Sequence, residues 1–109
     1  MTGFHELSLI PSLLEATAAL GFDQPTPIQA AALPPLLAGR DLIAQAQTGS
    51  GKTAAFGLAL LQRLQPARSE VQALVLCPTR ELADQVCSDL RALARFMPNI
   101  KVLGLCGGI

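Results

Sequence analysis

The stretch Ala46-Gln47-Thr48-Gly49-Ser50-Gly51-Lys52-Thr53 constrains the fold more than any other part of the chain. A short apolar run, Leu42 to Ala46, precedes it, and Lys52 to Leu64 after it is apolar nearly all round. A helix apolar on every side must be enclosed. The pattern therefore predicts a strand over 42–46, a loop over 47–51 and a helix over 52–64 sandwiched against a sheet. A loop so placed aims several backbone N–H groups and the positive end of a helix at one point, which suits a polyphosphate. Gly49 and Gly51 let the backbone approach closely, Lys52 can reach the β- and γ-phosphates, and the Thr53 hydroxyl can ligate magnesium.

The match is to A-x-x-x-x-G-K-T, with Ala46 where the commonest pattern has glycine. Gly49 to Ala54 also satisfies the dinucleotide fingerprint G-x-G-x-x-A, with Glu70 at nearly the right spacing. That fingerprint needs its acidic residue at the C-terminal end of the second strand, where the ribose lies. Glu70 stands at the other end, and Lys52-Thr53 would be unexplained, so this reading is rejected.

Around the loop, Ser12-Leu13-Leu14-Glu15 has capping-box spacing and Gly21 can supply a left-handed stop, which predicts a short first helix. Thr26-Pro27 offers an N-cap followed by proline at the first helical position, and places Gln29 in the first turn. Pro34-Pro35 is expected to break or offset that second helix. Val71 to Cys77 is a nearly continuous apolar run of the type buried on both faces in parallel sheets. From Pro78-Thr79 a further helix is expected, with Leu82, Val86, Leu90, Leu93 and Met97 as one buried stripe and Pro98-Asn99 as its end. Ile100 to Cys106 reads as another strand, and Gly107-Gly108 as a turn. The order strand, helix, strand, helix, strand predicts an α/β fold, a parallel sheet of about three strands with flanking helices and right-handed crossovers.

Composition narrows the class. At 109 residues and 50% hydrophobic content the chain is globular and at most one domain. Its net charge is zero, but residues 1–39 carry Glu6, Glu15 and Asp23 without any Lys or Arg, so all eight basic residues lie from Arg40 onward. A polyanion would meet that second part. Cys77, Cys87 and Cys106 fit no zinc spacing, and their odd number argues against a disulfide framework. They are expected to be core or near-core residues in a reducing compartment. No stretch approaches the roughly 20 apolar residues of a membrane span, so a cytoplasmic protein without membrane partners is the expectation.

Gln29 carries an amide donor and a carbonyl acceptor, the pair that can bond N6 and N7 of adenine together, whereas guanine offers acceptors at both positions. Its setting is Gly21-Phe22, then Pro25-Thr26-Pro27-Ile28-Gln29, with Phe4 upstream. Here the chain resembles the DEAD-box RNA helicases. Gly21 to Gln29 is similar to their Q motif, Ala46 to Thr53 to motif I, Pro78-Thr79-Arg80-Glu81-Leu82-Ala83 to motif Ia, and Gly107-Gly108 to the GG turn. The flanking text is most similar to the bacterial DbpA-type subgroup.

The resemblance implies a Q-motif segment over 1–39 and an incomplete RecA-like domain over 40–109. It implies ATP and Mg2+ as cofactors. Gln29 and Thr26 would read the adenine edge, Phe4 would pack on the base, and Phe22 would anchor the motif in the core. Thr48, Gly49, Ser50, Gly51, Lys52 and Thr53 would hold the phosphates, with Lys52 and Thr53 catalytic and Thr53 on magnesium. Pro78, Thr79, Arg80, Gly107 and Gly108 would contact the RNA backbone, which positions a strand without reading its sequence. Ribosomal RNA is the implied partner if the subgroup likeness holds. Arg91, Arg95 and Lys101 are expected to be solvated charges.

Phosphoryl transfer to water also needs a carboxylate for magnesium, a group to position the water and further positive charge. The chain contains no Asp-Glu-x-Asp. The expectation is therefore an ATP-binding N-terminal portion that lacks the remainder of the helicase core and is inactive alone. The alternative is a non-catalytic adenine-nucleotide binding module.

Overall fold

Signals at the helix ends set most of the architecture in the computed structural model, which describes residues 3–22, 24–42, 51–68 and 70–104. A 3-10 turn, Phe4–Leu7, leads into α1, Pro11–Ala19. Proline at the first helical position, with its preset φ and no N–H to leave orphaned, starts α1 ahead of the expected Ser12 cap. Gly21 ends it as expected: its φ is +78°, its N–H donates to Ala18 O at 3.1 Å, and the Phe22 N–H donates to Thr17 O at 2.9 Å. Those two bonds satisfy carbonyls that the helix end would otherwise orphan.

α2, Pro27–Leu37, begins where Thr26-Pro27 predicts but does not break at Pro34-Pro35. Helical φ suits proline; the cost is two missing N–H donors. Their would-be acceptors belong to Ala30 and Ala31, both exposed, so water can take over those carbonyls. Leu33, with no exposure at all, holds the segment to the core.

α3, Lys52–Gln62, is the central element and packs against both α2 and α4, Arg80–Leu93. Leu58 and Leu61 are 0% and 1% exposed, in keeping with a helix apolar on nearly every side. Gly57 allows α4 to come close, since a Cβ there would lie 2.9 Å from Leu90 Cδ2 and 3.1 Å from Leu93 Cδ1. Val86, Leu90, Leu93 and Met97 form the buried stripe, while its expected first member, Leu82, is exposed. The N-terminal arm is fastened by Gln62, whose Oε1 accepts from Ile10 N and whose Nε2 donates to Ser8 O, both at 2.8 Å. Phe4, Leu7, Leu9 and Leu13 thereby join Leu33, Leu58, Leu61 and Leu93 in one core.

The expected sheet requires correction. Among the described residues there are four α-helices and one 3-10 turn, and no strand. Over the described residues the α/β reading with about three parallel strands is thus replaced by a helical assembly with irregular connections. Of the expected strand 42–46 only Leu42 is described, and residues 105–108 of the third strand and its turn also lie outside the described residues. Val71–Cys77 is described throughout and has no regular structure; Val71, Leu74 and Leu76 are 90%, 78% and 84% exposed. An apolar run records affinity for a nonpolar environment, whereas a strand exists only where neighbouring backbones complete its hydrogen bonds. Here those neighbours are not found among the described residues.

Candidate functional site

The start of α2 and the start of α3 meet at three residues. Thr26 is the N-cap of α2, and its backbone N–H donates to Gln29 Oε1 at 3.0 Å. Gln29 Nε2 in turn donates to the Gly51 carbonyl at 3.1 Å. Gln29 is only 3% exposed, so each of these bonds replaces one to water that burial has removed.

Gly51 caps α3 with φ +89°, a left-handed conformation that side chains resist. It is also hemmed in. A Cβ added there would meet the Gln29 amide, lying 3.1 Å from Cδ, and would sit 2.8 Å from Thr26 Oγ1. Two independent constraints, conformation and space, therefore call for glycine. The Thr26 hydroxyl that borders Gly51 is buried and faces the Gln29 backbone N–H as the other half of a capping box, at a length too long for a full hydrogen bond.

A primary amide has two N–H donors and a carbonyl with two lone pairs. Gln29 gives one donor to Gly51 and one lone pair to Thr26. Among the described residues one donor and one acceptor of the amide are left without a partner. Lys52 and Thr53 open α3 directly after Gly51, Lys52 exposed and Thr53 partly so. Thr48, Gly49 and Ser50 lie outside the described residues.

Phe4 is 4% exposed and stacks on Phe22 with ring centroids 6.3 Å apart and planes at 30°. Phe22, expected to anchor the segment in the core, is 37% exposed and reaches the core through Phe4.

The second group of expected residues sits at the start of α4. Pro78, Thr79 and Arg80 are all exposed, and Thr79 Oγ1 accepts from Leu82 N at 3.1 Å as the helix cap. Arg80 makes no ion pair with Asp84 among the described residues, where Arg68–Glu70 is one that does form. Gly107 and Gly108 fall outside the described residues. Arg91, expected to be a solvated charge, is exposed and also grips the Val102 carbonyl through Nε at 3.1 Å and Nη2 at 2.7 Å. Arg95 lies over the Phe96 ring at 5.4 Å.

Sequence reasoning missed Gln62 and the Arg91 fork. Gln62 had a signal, being the one amide at the end of an apolar helix with nothing polar before it since Thr53. Arg91 had none, because its acceptor is a backbone carbonyl. Cys77 and Cys87 are free and partly buried, and Cys106 is outside the described residues. Among the described residues no cluster of three or more His, Cys, Asp or Glu could hold a metal, and no helix is long and apolar enough to cross a membrane.

Comparison with known proteins identifies the family. The family model for the DEAD/DEAH box helicase matches residues 26–109. The chain is 60% identical over 109 residues to ATP-dependent RNA helicase DbpA of Escherichia coli (strain K12), an alignment covering 99% of this chain and 24% of that protein. Among solved structures, a DEAD box protein from the hyperthermophile Methanococcus jannaschii superposes with a TM-score of 0.92 at 37% identity, covering all of this chain and 30% of the other. Dbp5 of S. cerevisiae bound to RNA and ADP BeF3 superposes with a TM-score of 0.85 at 43% identity, covering 89% of this chain and 25% of the other. The chain thus spans about a quarter of the length of the relatives it matches.

Proposed function

The chain belongs to the DEAD/DEAH box helicase family, and from that premise we propose that it is the N-terminal part of an ATP-dependent RNA helicase. Residues 1–39 recognise the purine, and residues 40–109 hold the phosphates and the RNA backbone. The observation that carries this reading is the amide of Gln29, bonded to Thr26 and Gly51 with one donor and one acceptor left over. That remaining pair matches the N6 and N7 edge of adenine and mismatches guanine.

Thr48 to Thr53 cradle the triphosphate, with the Lys52 ammonium on its charge and the Thr53 hydroxyl on Mg2+. Phe4 acts from the core, supporting Phe22, whose ring is the more open of the stacked pair. The exposed start of α4, with Pro78, Thr79 and Arg80, meets RNA phosphates, aided by Gly107 and Gly108. ATP with magnesium supplies the reactive phosphoryl group and its charge neutralisation. With no Asp-Glu-x-Asp in its 109 residues, this polypeptide alone binds nucleotide without turning it over.

The test is a thermal melt with ADP-magnesium or GDP-magnesium, because ligand at about 100 times its dissociation constant stabilises by about 2.7 kcal/mol. ADP is expected to raise the midpoint and GDP to leave it unchanged, with the ADP response lost in Lys52→Ala. Equal responses to both nucleotides, or an ADP response that survives in Lys52→Ala, would refute the proposal.

A further inference from the structure

α3 holds the N-terminal part of the chain at two places. At its start the Gly51 carbonyl accepts from Gln29 Nε2 at 3.1 Å. At its last residue, Gln62, the side-chain amide accepts from Ile10 N and donates to Ser8 O, both at 2.8 Å. The two grips are separated by the 11 residues of α3, about 16 Å of stiff rod at the usual helical rise. Between them in sequence lie α1, Gly21-Phe22 and the Thr26 cap of α2. Phe4, stacked on Phe22 with centroids 6.3 Å apart, ties the chain before the first grip to the segment between the grips.

The apolar contacts of Leu7, Leu9 and Leu13 attach this segment to the core, but such contacts are non-directional and tolerate sliding. The amide of Gln62 does not. One planar group supplies an acceptor to residue 10 and a donor to residue 8, which fixes where the arm sits along α3. Ser8 adopts φ +62°, uncommon for a residue with a side chain, at the point where that donor is received. We propose that Gln62 is a positioning residue for the purine: it sets the register of the segment from Ser8 to Gln29 on the helix that begins with Lys52 and Thr53, and so holds the Gln29 amide where the base arrives. This rests on the purine reading of Gln29 given above. When such a grip is released, ordering of the segment is transferred to the binding step and weakens it. A phosphate ligand without a base, held at the start of α3 alone, incurs no such cost.

The test compares dissociation constants for ADP-magnesium and magnesium pyrophosphate on the 109-residue chain by calorimetric titration. Gln62→Met keeps length and bulk but loses both bonds, and should weaken ADP by about three- to tenfold while leaving pyrophosphate within about twofold. Ile10→Pro removes one of those bonds from the other partner, at a φ of −66° that proline adopts without strain, and should move the ratio in the same direction. Gly57→Leu strains α3 against Leu90 and Leu93, away from both grips, and should leave the ratio of the two constants at its parent value. If the parent prefers ADP to GDP while Gln62→Met and Ile10→Pro keep the parent ratio, the role of Gln62 is overturned and the purine reading stands. Equal losses for ADP and pyrophosphate in those two variants also overturn it, because a merely weakened fold affects both ligands alike. A parent that does not distinguish ADP from GDP overturns the purine reading, and this inference with it.

Discussion

Replacing Gly51 with alanine probes the junction between α2 and α3. The new methyl group would have to enter the space held by the Gln29 amide and the Thr26 hydroxyl, 2.8 Å from Thr26 Oγ1, at a backbone φ of +89°. The left-handed conformation costs a side-chain-bearing residue about 1–2 kcal/mol. Displacing the amide breaks its 3.1 Å bond to Gly51 O and strands polar atoms of a residue only 3% exposed, a further cost of about 1–3 kcal/mol. The whole is about 3 kcal/mol, a large share of the stability of a small domain and equivalent to a fall in melting midpoint of more than about 10 °C.

A double-mutant cycle separates the two contributions. In a Gln29→Ala background the amide no longer obstructs the methyl group and only the Thr26 hydroxyl has to give way, so Gly51→Ala should cost less, chiefly the conformational part of about 1–2 kcal/mol. Urea unfolding followed by helical circular dichroism gives all four corners of the cycle. If Gly51→Ala costs the same in both backgrounds, the glycine is required by its backbone alone, and the argument that it makes room for Gln29 is wrong.

At Gly57 the obstructing atoms are the flexible ends of Leu90 and Leu93, so alanine there should stay within about 1 kcal/mol of the parent, helix propensity offsetting the tighter packing. Leucine at the same position should cost at least about 2 kcal/mol in urea unfolding, because no rotamer fits between α3 and α4. Gln62→Ala removes both bonds that fasten the N-terminal arm, to Ile10 N and Ser8 O, and should cost about 1–3 kcal/mol. Its distinguishing sign is faster hydrogen exchange at the Ile10 amide than at amides within α3.

Legibility in the sequence followed the range of the interaction. Gly21, the Thr26-Pro27 start and the Thr79 cap act within a turn of their own position, and all three are found where their residue types predict. The stripe Val86, Leu90, Leu93 and Met97 was readable for a similar reason, because helical spacing alone sets which side chains share a face. The sheet was not, since an apolar run such as Val71–Cys77 says nothing about the neighbour that must complete its hydrogen bonds. Pro34-Pro35 was misread because a local cost was weighed without the fully buried Leu33 that outweighs it. Gln62 and Arg91 act across 52 to 54 and 11 residues respectively, onto backbone atoms that every residue possesses, and no residue pattern encodes such a target.

Gln29 belongs to both classes, which explains why residue type indicated a role that only geometry makes specific. The oxygen and nitrogen of an amide can be exchanged by rotating the group, so an unrestrained glutamine presents its donor and acceptor in either order. Here rotation is blocked by chemistry on both sides. Thr26 N–H is a donor and needs the oxygen; Gly51 C=O is an acceptor and needs the nitrogen. With each end assigned, the donor and acceptor have a fixed order along the amide, and guanine, with acceptors at both positions, would leave the amide oxygen facing an acceptor at a residue 3% exposed. Base selectivity in this reading comes from the partners that hold the glutamine as much as from the glutamine. If Gln29 reads the purine as proposed, Gly51 would carry specificity through its carbonyl as well as room through its missing side chain, joining the start of α2 to the start of α3 through a single atom.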